Sequence, residues 1–451
     1  VKADALPCPR RGHCLSLAET LTGTYQMMTV IEPPSALSSP QRRSQVLLMF
    51  YLPGQSVTTE RLGRINLVDE TTARQDIEET GREIQRYHRL TLQSQVDGSY
   101  RIEGAALDQR LCLLHALRRG LRLCPQFVNH HFTPALKTQL KQEGIARTLY
   151  DDTNLQALVN RCARALNRQF DCRDVQFLRL YLQYCLLEHH RGYSPDFNEE
   201  QQRWAQTAAE FTLAQEIVRH WQRRVGAPPH VGEPFFLSLL FMLLKTPDPV
   251  RDGHPHDRRL RLAISGLIHR FQILAGRAFS DEQGLSDQLY IHLSQALIRS
   301  VFAIGIDSTL TEEVTRLYPR LLRTTQAALS EFEEAWHIRF NEEETGLIAV
   351  IFGAWLMQKS DLHEKQVLLL TDDNPAIEEA LEQQLRELTL LPLNIKYQSV
   401  ERFQKEGAPK GVTLIVTPYA TALPLFSPPL IHAENYFTER QQQHICAMLE
   451  D

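Results

Sequence analysis

At 451 residues the chain is longer than a single hydrophobic core sustains, so about three or four domains are expected. A hydrophobic share of 43% with 23% charged residues excludes wholesale disorder, and a formal net charge of -5 excludes a uniformly basic nucleic-acid coat while leaving room for a local basic module. The longest apolar runs, residues 235–244 and 345–357, are shorter than the ~20 residues a membrane span needs and read as buried helices.

Residues 1–38 read as a disordered leader and linker. Arg10 and Arg11 precede only a modest apolar stretch, without the long apolar region and cleavage site of a secretory signal, so a cytoplasmic location is expected. Met27-Met28 suggests a start there, with residues 1–26 as upstream sequence. The segment "CPRRGHC" (8–14) fits no usual metal template, and "PPSALSSP" (33–40) reads as a linker.

A domain then spans 39–104. After a first helix in "QRRSQVLLMFYL", residues 56–104 parse as two short helices and a hairpin turning at Asp97-Gly98. Three helices and a hairpin outline a winged helix, in which the helix over 71–88 enters the major groove. Arg74, Gln75, Arg82 and Arg86 are the candidate DNA contacts. The same helix carries Asp76, Glu78, Glu79 and Glu83, so a structural or protein-binding role stays open. Residues 105–150 read as a helical connector whose basic residues, Arg110, Arg118, Arg119, Arg122, Lys137, Lys141 and Arg147, form a solvated face.

From 151 to 362 every periodic run is helical, and the two halves repeat. "LRLYLQYCLLE" (178–188) lies over "LYIHLSQALIR" (289–299), and "EPFFLSLLF" (233–241) over "ETGLIAVIF" (344–352), both at an offset of 111. "LVNR" (158–161) matches "LIHR" (267–270) at 109. The expected repeats are 151–257 and 258–362, each all-α. His292 sits within the apolar stripe Leu285, Leu289, Leu293, Ala296 and Leu297, which a leucine would pack better. A histidine satisfied within a helical core is the plainer account of it.

The eight cysteines show no paired metal spacing and read as reduced thiols; Cys185 and His189 stand at i and i+4 but have no third ligand in view. The final segment, 363–451, reads strand, helix, strand, helix, strand, a small α/β domain. No Gly-rich phosphate loop, nucleophile elbow or HExxH motif occurs, so no enzyme, cofactor or metal site is expected.

A winged helix, two helical repeats with "L-x-x-H-L" followed by a glutamate-led apolar helix, and a C-terminal α/β segment resemble the PTS regulation domain (PRD) transcription factors. The resemblance covers nearly the whole chain from residue 27. It implies five-helix bundles with two histidines each, modified by phosphoryl carriers of the sugar phosphotransferase system. Those positions here are Tyr181, Leu240, His292 and Ile351, so His292 alone keeps an acceptor. Arg299, at i+7, is the candidate phosphate partner. The tail looks like a degenerate enzyme IIB domain, with Thr371 and Asp372 where that family places a phosphate-accepting thiol.

The resemblance implies a homodimeric regulator that binds DNA and meets carriers such as HPr or an enzyme IIB. The family's RNA-binding antiterminators carry a small β-rich module that is not visible at this N-terminus. The rival from another class is an interaction protein that binds no DNA and docks phosphotransferase components or another regulator. No membrane association and no small-molecule substrate are expected.

Overall fold

A computed structural model describes residues 37–225, 230–306, 310–358 and 364–450. The leader and the first half of the Pro/Ser linker lie outside the described residues. The chain divides into two units, Val1–Met242 and Leu243–Asp451.

The first unit opens with α1 (Ser39–Phe50), started by a capping box between Ser38 and Gln41. There follow β1 (Val57–Thr58), α2 (Thr59–Asn66), α3 (Glu70–His88), β2 (Thr91–Ser94) and β3 (Ser99–Glu103). Leu67 ends α2 in the left-handed conformation, and the Asp69 side chain caps α3 two residues on, so the turn between the helices is short. The strands form an antiparallel sheet in the order β1-β3-β2. The hairpin turns at the expected Asp97-Gly98: Gly98 has φ +83°, which favours glycine, and the Asp97 carboxylate accepts from the Ser99 N–H at 3.0 Å.

The connector is α4 (Ala106–Leu123), α5 (Pro125–Phe127), a π-helical turn over Val128–Phe132, α6 (Thr133–Gln142) and a 3-10 turn over Arg147–Leu149. The first helical repeat follows as α7 (Asp152–Ala165), α8 (Cys172–His190), α9 (Glu199–Thr207), α10 (Glu210–Val225) and α11 (Gly232–Leu243). In the second unit the repeat recurs as α12 (Pro255–Ala275), α13 (Glu282–Phe302), α14 (Leu310–Leu317), α15 (Pro319–Trp336) and α16 (Glu342–Leu356). Both repeats therefore hold five helices among the described residues. The matched pairs Leu178/Leu289, Leu182/Leu293 and Leu186/Leu297 are all buried, so the repeat is one of packing as well as letters.

The last part is β4 (Lys365–Thr371), α17 (Pro375–Glu387), β5 (Leu393–Ser399), α18 (Val400–Glu406), β6 (Val412–Thr417), β7 (Leu430–His432) and α19 (Glu439–Glu450). Its sheet is parallel throughout, in the order β5-β4-β6-β7. Val367 and Leu369 pack on one face with Leu381 and Leu385 of α17, and Leu368 and Leu370 on the other with Phe403 of α18. Burial on both faces explains why β4 reads as a continuous apolar run.

Cys112, Cys124, Cys162, Cys185 and Cys446 are free thiols. Cys172 is disulfide-bonded, which corrects the reading of every cysteine as reduced. Among the described residues no helix is long and apolar enough to cross a membrane, and no group of three His, Cys, Asp or Glu side chains is placed to hold a metal ion.

Candidate functional site

His292 lies in the middle of α13, with its side chain 19% exposed. Its Nε2 sits 3.4 Å from Oε2 of Glu344, and that nitrogen makes no hydrogen bond, so the pair interacts as electrostatic neighbours. Glu344 is the third residue of α16, where the Asn341 side chain caps its N–H at 2.8 Å. Arg299 closes the cluster: Nε donates to Glu344 Oε1 at 2.5 Å and Nη2 to Oε2 at 3.2 Å. Burial alone would raise the Glu344 carboxyl, but His292 and Arg299 outweigh it and hold the group below the ordinary glutamate range. Histidine and arginine thus share one carboxylate, and Arg299 is already engaged.

The first repeat keeps the glutamate and changes everything around it. Glu233, 111 positions before Glu344, is wholly buried, and its cation arrives from outside the repeat. Arg110 of α4, 1% exposed, forks onto it with Nη1 to Oε1 at 2.9 Å and Nη2 to Oε2 at 3.0 Å. Ser194 Oγ donates to Oε2 at 2.6 Å. Gly232 permits this approach, since a Cβ there would stand 1.7 Å from the Pro195 carbonyl oxygen. Arg110 is therefore no part of a solvated basic face, which corrects the reading of the connector. Leu113, Leu114 and Leu117, at i+3, i+4 and i+7 from it, are buried, and that stripe was the available sign.

At the position of His292 stands Tyr181, fully buried, with its hydroxyl donating to the Arg110 carbonyl oxygen at 2.5 Å. Leu240 and Ile351 are buried apolar residues. His189 lies 3.9 Å from Glu233, and burial lowers its pKa. His189 and Cys185 are both buried.

The amphipathic α3 sorts its charges by side. Asp76 turns inward and pairs with Arg42 at 2.9 Å, Glu79 with Arg43 at 3.3 Å, and Glu83 with Arg119 at 2.6 Å. Arg74, Gln75, Glu78, Arg82, Gln85 and Arg86 are all exposed, at the helical spacing of one face. Arg74 pairs with Glu70 one turn back at 2.8 Å, a surface pair of little strength. Three of the four acidic residues on this helix thus pair with arginines of α1 and of the connector helix α4.

The PRD domain family matches residues 156–243 and 265–355, one match in each repeat. The C-terminal domain of the stationary phase-inducible protein CsiE matches residues 365–449. The Escherichia coli (strain K12) stationary phase-inducible protein CsiE is 58% identical over 424 residues, which are 94% of this chain and the whole of that protein. The chain belongs to the CsiE family. It is a PRD-containing regulatory protein, mostly helical, with a small C-terminal α/β region.

In this CsiE-family chain the end of β4 carries no thiol. Thr371 closes the strand, and the next N–H, of Asp372, donates to Glu378 Oε1 at 2.7 Å. The Tyr419 hydroxyl donates to the same oxygen at 3.0 Å and accepts from the Asn374 N–H at 3.0 Å. The N–H groups of Asp372 and Asn374, just ahead of α17, are thus spent on the domain's own side chains. Cys446 is in α19, its thiol bonded to the Leu388 carbonyl and its pKa raised by burial. Thiol chemistry at Thr371 and Asp372 is absent because the residue type is absent.

Proposed function

We propose that this chain is a transcriptional regulator whose N-terminal module is a winged helix that binds DNA through α3, and whose second PRD takes a phosphoryl signal at His292. The observation that carries the DNA reading is the charge sorting on α3, which leaves Arg74, Gln75, Arg82 and Arg86 outward while Arg42, Arg43 and Arg119 neutralise the inward carboxylates. The element order supports it: three helices, a short turn before α3, and a hairpin beside it to touch the phosphate backbone. Association as a homodimer suits paired half-sites. A cytoplasmic protein fits this role.

A gel shift of the full chain on duplex DNA at several salt concentrations tests this reading. Binding should fall steeply with salt, and Arg82→Ala with Arg86→Ala should weaken it by about tenfold or more and flatten the salt slope by about one unit per lost phosphate contact. No salt-sensitive binding to any duplex would remove the DNA reading. It would leave the second one, a protein that docks phosphotransferase carriers such as HPr or an enzyme IIB, or another regulator. The outward Glu78 and the Arg74–Glu70 pair favour that alternative.

A further inference from the structure

The two ring nitrogens of His292 are not equivalent. Nε2 is buried and lies 3.4 Å from Oε2 of Glu344, a residue that is itself 2% exposed. The 19% of the His292 side chain that stays exposed therefore lies elsewhere on it. A nitrogen closed to water is also closed to a phosphoryl donor, because the attacking lone pair must come within about 3–3.5 Å of the phosphorus, along its own direction.

Glu344 also bears on which nitrogen holds the proton. A neutral imidazole has one N–H and one lone pair, and an ionised carboxylate only accepts. Arg299 donates twice to this carboxylate and, with His292, keeps it ionised. With the proton on Nε2, an N–H dipole meets Oε2; with the proton on Nδ1, two sets of lone pairs would face each other in a buried contact. The favoured tautomer leaves the free lone pair on Nδ1. An incoming phosphoryl group is anionic, so the carboxylate repels approach on the Nε2 side, while packing blocks it.

We propose that Nδ1 of His292 is the phosphoryl acceptor, and that Glu344 is the positioning residue that selects it, by covering Nε2 and holding the proton there. In the transfer the Nδ1 lone pair forms the new P–N bond while the donor's bond to phosphorus breaks, and that electron pair stays on the donor. Nε2 keeps its proton. The inference rests on the reading of His292 as a phosphoryl site and adds the atom and the residue that chooses it. His189 of the first repeat supplies the contrast. It lies 3.9 Å from Glu233, is 1% exposed and has both ring nitrogens buried, so a donor reaches neither.

Phosphoramidate, a small reagent that phosphorylates histidine with ammonia as the leaving group, tests the ring without any carrier. The full chain is treated with it and, separately, with phosphoenolpyruvate and the general phosphotransferase proteins. After proteolysis, the isomer at position 292 is identified against synthetic peptides phosphorylated on each nitrogen. The native chain is expected to give the Nδ1 isomer with both donors and to leave position 189 unlabelled. The urea-unfolded chain treated with phosphoramidate should lose both preferences. Glu344→Ala should shift label to Nε2, whereas Glu344→Gln, which keeps the cover, should leave it on Nδ1. The Nε2 isomer in the native chain, or no label at position 292 from either donor, overturns the proposal. An Nδ1 product unchanged in Glu344→Ala overturns the selection by Glu344. The Nδ1 isomer from phosphoramidate with no label from the carriers supports the acceptor atom and removes the carrier reading.

Discussion

Arg110→Ala is expected to destabilise the first unit by roughly 3–5 kcal/mol, the cost of leaving a buried charge without its partner. Glu233 is wholly enclosed, and among the described residues it keeps, without the guanidinium, only the Ser194 hydroxyl as a hydrogen-bond donor. Glu233→Ala strands Arg110 in the same way. Replacing both at once, as Arg110→Met with Glu233→Leu, should cost far less than either alone, because no charge is then stranded. Burial would raise the Glu233 carboxyl, but Arg110 and Ser194 outweigh it and hold it below the ordinary value of 4.5. A folded-state pKa below the unfolded one stabilises above the unfolded value, so the contribution is complete at neutral pH and is lost as pH falls through the folded value. Urea midpoints at pH 7 and pH 4 for the wild type, the two single variants and the double variant provide the check. Single variants as stable as wild type would show that the pair holds nothing together.

That pair also marks where reading the chain as letters stops. The duplication is legible because burial is periodic: Leu178, Leu182 and Leu186 return at Leu289, Leu293 and Leu297, and each had to face a core. Glu233 and Glu344 are legible as a repeated letter, but their partners are not. Arg299 lies in the neighbouring helix of the same repeat, whereas Arg110 lies 123 positions before Glu233, beyond the reach of any local pattern. The outward cationic face of α3 is half legible. Counting charges along the helix finds Asp76, Glu79 and Glu83 among the arginines, and only the packing of α1 and α4 turns them inward.

The two repeats hold one design with different sources of positive charge. In the first, the glutamate hub is sealed by an arginine from the connector helix, and the neighbouring tyrosine bonds only backbone. A sealed hub fixes α4, and with it the chain leading out of β3, against the first repeat. In the second, both partners of the glutamate, His292 and Arg299, come from α13 and remain about one-fifth exposed. Of the two hubs, the second is the one whose partners reach solvent, although His292 Nε2 itself, against Glu344, is buried.

Incubated with phosphoenolpyruvate and the general phosphotransferase proteins, the chain is therefore expected to take up label at His292, and His292→Ala to take up almost none. The phosphoryl group would bond to a ring nitrogen and leave its carrier. It would bring about -1.5 to -2 charges, by analogy with other phosphorylated side chains, to within a few ångströms of the Glu344 carboxylate. Two anions cannot both keep Arg299, whose guanidinium now donates twice to Glu344. A phosphate offers the fork a denser set of acceptors, so Arg299 should change partners and leave the N-terminal turn of α16 holding an uncompensated buried carboxylate. Glu344→Gln removes that repulsion while keeping the side chain's shape, and should raise the extent of labelling by about tenfold, which a 1.4 kcal/mol relief would produce. Arg299→Ala should lower it. Equal labelling of wild type and His292→Ala would place the acceptor elsewhere, whereas label confined to His292 but indifferent to Glu344→Gln would retain the acceptor and sink the exchange of partners.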